Sequence, residues 1–579
     1  MWFLRFPDRL DQEMQAVNAL MHEGWVTQVS WRLTMEDAEL CADVTFQGGG
    51  KTRQVRLVYP HVYPYAPARV FPSDNARWSS HQWPSGELCL QLRADTWRAN
   101  FTGGDLLKST RLLLDTEAQT DDQGRPRRAE SAHNFTAGQL LASTYFRLVV
   151  PDDVIAELRR RGKGTWKVSL HSTFFESSSV IMAVALKAFD DSDSWTSVSA
   201  PPTFAEFWSG NGRIALIEEG DDLHNALTAK NIKPADLWAK FSNDPLDGVA
   251  TVIGVLTDTV IARYIGSEKV WDMAKIAMDN QSRSPSRNNV LKGKRVAIVG
   301  CGSMGSKVAT SLARSGVEDF VLLDEDVLKD GNLVRHDLDW SAVGAHKVDA
   351  LRKRIHLIKP QATVTTRVIR LGGQNSTTFL LQCLDILAGC NLIVEVTGSA
   401  QGFSYAGAVA AQHRVPMVWG RVFAGGYGGM VARSRPGLDP NPHETRTLID
   451  IWCANPEFPD PPAAADIDYG AEADDQPAMI ADDGDVSVIS AHLTRMATDT
   501  LRPPTETDYP YSAYMIGLRK EWIFTQPYEA HPVDLAESMA KVPRKAWATG
   551  DGAGAADGGS VLRQFPPAPH PRKKWLKWF

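Results

Sequence analysis

Residues 295–324 read RVAIVGCGSMGSKVATSLARSGVEDFVLLD. Arg295–Val299 is a short apolar run, which predicts a strand buried in a parallel sheet. It leads straight into Gly300-Cys301-Gly302-Ser303-Met304-Gly305. Ser306–Ser315 then reads as a helix, and Phe320–Leu323 as the next strand, ending at Asp324. Strand, glycine turn, helix, strand and carboxylate in that order describe one βαβ unit of a nucleotide-binding α/β fold. Glycines at 300, 302 and 305 permit a tight turn and let a phosphate approach backbone N–H groups at a helix N-terminus. Asp324 lies 19 residues beyond Gly305, where a carboxylate reaches a ribose hydroxyl.

The residues that follow narrow the nucleotide. Asp324-Glu325-Asp326 is succeeded by Gly331-Asn332-Leu333-Val334-Arg335 and by Gly344-Ala345-His346-Lys347. A nicotinamide ring is neutral and does not require Arg and Lys beside it. A nucleoside triphosphate does: Arg335 and Lys347 suit a clamp on its charge while a carboxylate attacks the α-phosphate, and Asn332 suits orientation of phosphate or ribose. The series G-x-G-x-x-G, D-x-D, N-L-x-R, G-x-x-K resembles the ThiF-type adenylation domain of ubiquitin-activating enzymes and of bacterial adenylyltransferases in thiamine and molybdopterin synthesis. The resemblance covers about Leu291–Leu501. It implies a Rossmann-like domain, ATP and Mg2+ as cofactors, adenylation of the C-terminal glycine of a ubiquitin-like protein, and a homodimer. It assigns Gly300, Gly302, Gly305, Asp324, Asp326 and Asn332 to ATP binding, and Arg335 and Lys347 to catalysis.

Three departures qualify the match. Where the family has D-x-T-D, this chain reads Glu395-Val396-Thr397-Gly398, so the second carboxylate is missing and Asp326 takes a larger share in holding magnesium. The paired Cys-x-x-Cys zinc ligands of many bacterial relatives are absent, so no structural zinc is expected. The loop expected to carry a thioester cysteine, Tyr469–Asp475, has none. Either the domain adenylates without its own thioester, or Cys453 or a nearby serine substitutes, or Ala471 or Ala473 stands in a cysteine's place.

A second pattern lies near the N-terminus. Leu10, Met14, Val17, Leu20 and Met21 recur at helical spacing. Strand-like runs follow at Thr27–Thr34, Ala38–Phe46 and Gln54–Tyr59, then an extended Pro-rich stretch, then a helix at Asp105–Leu114. Tyr63-Pro64-Tyr65-Ala66-Pro67-Ala68-Arg69-Val70-Phe71, then Gly86-Glu87-Leu88-Cys89-Leu90, then Trp97, resembles the core of ubiquitin-conjugating enzymes over about residues 10–120. In that family the cysteine forms the thioester, which points to Cys89 as the nucleophile, a thiolate being a good acyl acceptor. The upstream His-Pro-Asn triplet is missing; His81 is the nearby polar candidate.

Composition supports the plan. The chain has 579 residues, 43% hydrophobic and 23% charged, which is globular and long enough for several domains. A net charge of −7 gives no support to a nucleic-acid partner. The opening MWFLRFPDRLDQEM is no signal peptide, and no apolar run approaches about 18 residues, so no membrane partner and a cytoplasmic location are expected. Polar breaks at 120–130 and 279–289 divide the chain. The expected domains are a conjugating-like α+β domain at 1–130, an α/β linker domain at 131–285, the Rossmann-like adenylation domain at 286–545 and a basic, aromatic tail at 546–579. The order resembles fused conjugating and activating proteins of bacterial anti-phage operons. It implies ATP-dependent activation of a ubiquitin-like protein, transfer to Cys89, and delivery to a lysine of a protein target. An NAD(P)-dependent oxidoreductase and a non-catalytic scaffold with degenerate versions of both folds are the alternatives.

Overall fold

The computed structural model describes residues 1–34, 38–74, 76–83, 85–119, 136–190, 192–202, 211–278, 283–462 and 481–540. The break at 120–130, the loop at Tyr469–Asp475 and the tail at 546–579 lie outside the described residues. The chain divides into two compact units, Met1–Leu140 and Leu141–Phe579.

After a one-turn helix at Trp2–Arg5, the first unit has α1 (Pro7–His22), which has Pro at its first turn and buries Val17 and Leu20. Four antiparallel strands follow in sequence order: β1 (Val26–Leu33), β2 (Leu40–Gly48), β3 (Lys51–Tyr59) and β4 (Arg69–Pro72). β2 alternates on its core side through Leu40, Ala42, Val44 and Phe46, the period of a strand with one buried face. α2 (Gly103–Glu117) starts at a capping box made by Thr102 and Asp105. The buried Glu13 joins the two helices: it accepts the Gly103 N–H at 2.7 Å and pairs with Arg9 at 2.8 Å. A Cβ at Gly103 would sit 2.1 Å from the Tyr59 hydroxyl, so this helix can start here only with glycine.

The second unit contains two sheets. Residues 146–276 supply a mixed nine-stranded sheet. The sequence of this region reads as strands at Val180–Leu186 and Arg213–Ile217, which are present as Ser178–Lys187 and Asn211–Leu216. It reads as a helix at His224–Phe241 with Pro234 near a turn, and the structure has two helices there, Asp222–Thr228 and Pro234–Phe241. Pro234 begins the second, because it lacks an N–H and disfavours helical backbone in the residue before it.

The second sheet carries the glycine motif. Its strands are β5 (Arg295–Val299), β6 (Asp319–Leu323), β7 (Thr363–Arg367), β8 (Leu392–Glu395), β9 (Met417–Val422), β10 (Gly428–Ser434), β11 (Ala513–Gly517) and β12 (Ala530–Pro532). Their spatial order is β7-β6-β5-β8-β9-β10-β11-β12. The first five are parallel, and the pairs from β9 to β12 are antiparallel. The chain moves outward from β5 to β6 and β7, then returns to the other side of β5 as β8. This reversal opens a crevice at the carboxyl ends of β5 and β8, where α/β sheets bind ligands. Helices α3 (Ser303–Ser315), α4 (Lys347–Ile358), α5 (Pro442–Cys453) and α6 (Asp483–Thr500) are among those covering the sheet. The fold is therefore multidomain α/β, with a Rossmann-like sheet behind the glycine loop.

A buried ion pair fixes the far half of this sheet. Arg433 on β10 donates to Asp499 on α6 at 2.6 Å, with side chains 0% and 1% exposed. Burial raises the Asp499 carboxyl, but the Asp508 N–H, Thr507 and Arg433 outweigh it and bring it below its ordinary range. Its stabilising contribution is thus full above the ordinary carboxylate range and is lost as pH falls through the lowered value. Asp499→Asn strands a buried guanidinium and is expected to cost about 3–5 kcal/mol, read as a lower denaturation midpoint at neutral pH.

Candidate active site

The glycine loop is built by steric necessity. Gly300 has φ +93°, a backbone region that L side chains rarely adopt, and a Cβ there would lie 3.0 Å from the backbone of Val396 and Thr397. Gly302 is the N-cap of α3. A Cβ on Gly305 would stand 1.9 Å from the Gly300 carbonyl oxygen, so the first turn of α3 lies directly on the loop. The N–H groups at this end of α3 face the crevice side of the sheet, the polarity that favours an anion.

Asp324 ties the loop to the tip of β6. Its Oδ2 accepts the Cys301 N–H at 2.7 Å and its Oδ1 accepts the Asp326 N–H at 2.8 Å. Burial raises this carboxyl, and the two backbone donors work against burial by favouring the anion. Each oxygen keeps a second acceptor direction for a hydroxyl.

Lys347, the first residue of α4, reaches the same corner. Its Nζ donates to Asp326 Oδ2 at 2.7 Å, and its N–H donates to the Asp326 carbonyl at 2.9 Å. The residue is 8% exposed, so it is no solvated helix-face charge. The Asp326 side chain is 62% exposed, which leaves the carboxylate open to solvent. Asn332 and Arg335 lie on and just after a short 3-10 turn, Asp330–Val334, where Asn332 Oδ1 accepts the Lys329 N–H at 2.9 Å. Arg335 is half-buried. The next residue, His336, contacts the loop, its Nε2 lying 2.9 Å from the Cys301 carbonyl while its Nδ1 accepts the Leu338 N–H at 3.2 Å. This makes Nε2 the donor. Burial lowers the His336 pKa, which favours the neutral ring. The motif did not single out His336; its place beside Arg335 was the available signal.

Across the crevice, Glu395 at the end of β8 is 5% exposed and bonds the N–H and hydroxyl of Thr397. Burial raises its carboxyl. Arg421 donates to the Gly398 carbonyl at 3.4 Å. On α5, burial raises Asp450 to about 6, with Arg446 and Arg421 opposing. Cys453 is buried in the core and its thiol is pushed up to about 12 by burial and then by Asp450, which makes it a poor nucleophile.

The first unit holds the other candidate. Of the six cysteines five are buried, and Cys89 is half-buried. Its N–H donates to the His81 carbonyl at 2.8 Å, closing a small loop in which Trp83 N–H bonds the Glu87 carbonyl at 2.8 Å. Trp83 is 49% exposed. Cys89 lines a cavity of about 340 Å³ with Pro67, Val70, Trp83, Leu92 and Arg93. Burial raises the thiol, Arg93 lowers it, and Glu87 and Asp95 raise it. His81 meets Cys89 through its backbone carbonyl.

A strand–glycine loop–helix at a sheet's switch point, with a buried lysine and an aspartate at the next strand tip, is the arrangement of a Rossmann-like α/β fold. Residues 277–469 match the model of the ThiF family. The chain is 26% identical over 513 residues to the y4qC protein of Sinorhizobium fredii, covering 79% of this chain and 84% of that one. It is 43% identical over 75 residues to the ATP-dependent ubiquitin transferase-like protein Cap2 of Enterobacter hormaechei, covering 13% of this chain and 12% of Cap2. It is 36% identical over 110 residues to the adenylyltransferase and sulfurtransferase UBA4 of Saccharomyces cerevisiae, covering 19% of this chain and 23% of UBA4. Among solved structures, E. coli MccB with ATP aligns over 43% of this chain and 66% of MccB, with 18% identity and a TM-score of 0.32.

The loop geometry gives a direct test. Gly305→Ala forces its Cβ against the Gly300 carbonyl and should cost about 1–3 kcal/mol. Gly302→Ala meets open space and should cost less. Thermal denaturation of the two variants should separate them in that order.

Proposed function

We propose that this chain adenylates the C-terminal glycine of a ubiquitin-like protein and passes it through Cys89 to a lysine of a protein target. The observation that carries the reading is the buried Lys347, paired with Asp326 at 2.7 Å beside the glycine loop that Asp324 holds. A site for NAD, with a carboxylate on the ribose and a neutral nicotinamide ring, does not require this buried cation. ATP enters with its phosphates toward the loop N–H groups and its ribose toward Asp324. Arg335, Lys347 and Asn332 act on the phosphates. The names of Cap2 and UBA4 support this reading.

Mg2+ comes with the nucleotide. Among the described residues no three His, Cys, Asp or Glu side chains converge as a metal group. That fits an ion held mainly by phosphates and one or two carboxylates, with the solvent-open Asp326 as the available protein ligand. The ion would neutralise phosphate charge.

The chemistry then runs in three displacements. A carboxylate oxygen of the terminal glycine attacks the α-phosphorus of ATP, the bond to the β-phosphate oxygen breaks, and pyrophosphate leaves. Arg335 and Lys347 stabilise the charge on the phosphates as it shifts. The Cys89 thiol gives its proton to solvent, its sulfur attacks the acyl carbon, and AMP leaves with the electron pair of the broken C–O bond. A lysine amine attacks the thioester carbon, the C–S bond breaks, the Cys89 thiolate leaves, and the amine gives up a proton. Joining both steps in one chain raises the effective concentration of the second. The domain plan at 1–130, 131–285 and 286–545, the homodimer and the cytoplasmic location belong to this proposal. Among the described residues no helix is long and apolar enough to cross a membrane.

Incubation with ATP, Mg2+ and a ubiquitin-like protein ending in glycine should give a thiol-sensitive adduct on non-reducing gels. Cys89→Ala should abolish it while leaving adenylate formation intact. An adduct that survives in Cys89→Ala contradicts the role of Cys89. Lys347→Ala should weaken ATP binding roughly 10- to 100-fold, from the loss of a charge-assisted contact, as measured by calorimetry on the folded variant.

A further inference from the structure

The stretch 80–85 ahead of Cys89 contains no asparagine in its sequence, and a cation, Arg93, is built into the cavity that Cys89 lines. Arg93 lines the same cavity of about 340 Å³. Its side chain is only 19% exposed, unusual for an arginine outside a core. The backbone that presents it is pinned. The Arg93 N–H donates to Thr96 Oγ1 at 3.0 Å, Thr96 Oγ1 donates to the Gln91 carbonyl at 2.7 Å, and Trp97 N–H donates to the Arg93 carbonyl at 2.8 Å. Trp97 is in turn held by its indole N–H on the Pro64 carbonyl at 2.7 Å. The guanidinium forks onto Asp95, with Nε to Oδ1 at 2.7 Å and Nη2 to Oδ2 at 3.2 Å. Asp95 is 65% exposed, so this bond is screened by water and open to exchange.

We propose that Arg93 is the positioning residue of the Cys89 site, its guanidinium stabilising the thiolate across the cavity, and that Asp95 restrains it. This rests on the reading of Cys89 as the acyl acceptor. The charged groups facing the thiol are Arg93 on one side of the account and Glu87 and Asp95 on the other. The two carboxylates and the burial of the sulfur keep the resting thiol protonated, and Arg93 is the group that acts against them. A cation near a thiol favours the thiolate, and a nearby carboxylate disfavours it. Anything that draws Asp95 away, such as a basic residue of an incoming protein, turns the Arg93 charge toward the sulfur.

The test is the pH profile of Cys89 alkylation by iodoacetamide in the full chain, read by mass spectrometry of the Cys89 peptide, without ATP or modifier. Arg93→Gln should move the midpoint to higher pH and slow labelling at neutral pH by about threefold or more. Asp95→Asn should move it to lower pH and speed labelling. Arg93→Lys should restore most of the profile, because it keeps the charge. An unchanged profile in Arg93→Gln overturns the proposal. So does Arg93→Lys behaving as Arg93→Gln while both show the parent's denaturation midpoint, since that makes the role one of shape. The readout uses no acyl transfer, so it is separable from the reading it rests on. An adduct surviving in Cys89→Ala would remove Cys89 as acceptor and leave the alkylation profile standing.

Discussion

The carboxylate of Asp324 is the point on which the site depends. It binds the N–H of Cys301 with one oxygen and the N–H of Asp326 with the other. The first bond sets the glycine loop above β5, and the second turns the chain at the tip of β6 toward α4. His336 closes the loop from a third direction through the Cys301 carbonyl. A half-buried carboxylate is costly unless donors satisfy it, and here two backbone donors do so. The same bonds that satisfy Asp324 also hold the turn that leads into α3, so the stability of the fold and the shape of the crevice have a shared origin.

From that tie the charge pattern follows. Asp326 is carried into position by Asp324 and then captures Lys347 at 2.7 Å. A buried lysine needs such a partner, and one that is exposed on its other side can give way to a phosphate. On the opposite wall the chain has Gly398 where its resemblance calls for a carboxylate, and Glu395 is spent on Thr397. The acidic side of the crevice is thus concentrated at Asp326. The cysteines sort themselves by burial: Cys453, in the second unit, lies in the core with its thiol pushed up to about 12, whereas Cys89, in the first unit, borders a cavity. That contrast favours one thiol over the other on physical grounds.

Much of this was legible in the sequence because it is local. Gly300 and Gly305 are dictated by positive φ and by a close approach, each of which leaves glycine as its mark. Helices α1, α2 and α3 appear where the sequence reads as helix. The contact of His336 with the loop and the cavity that joins Arg93 to Cys89 depend on how separate stretches of chain meet and leave no mark. The mixed sheet of residues 146–276 was harder still. Asn211–Leu216 pairs parallel with Ala250–Val255 and antiparallel with Thr165–Lys167. Nothing in a single strand records such partners. Pro234 shows the reverse case: lacking an N–H, it starts a helix and leaves its mark in the sequence.

The central claim is that the crevice between β5 and β8 activates a carboxylate with ATP. Isotope exchange between labelled pyrophosphate and ATP measures this step alone, before any thiol takes part. The account predicts exchange that needs both Mg2+ and a ubiquitin-like protein with a free C-terminal glycine, and no binding of nicotinamide dinucleotides. Tight nicotinamide binding without exchange would contradict it.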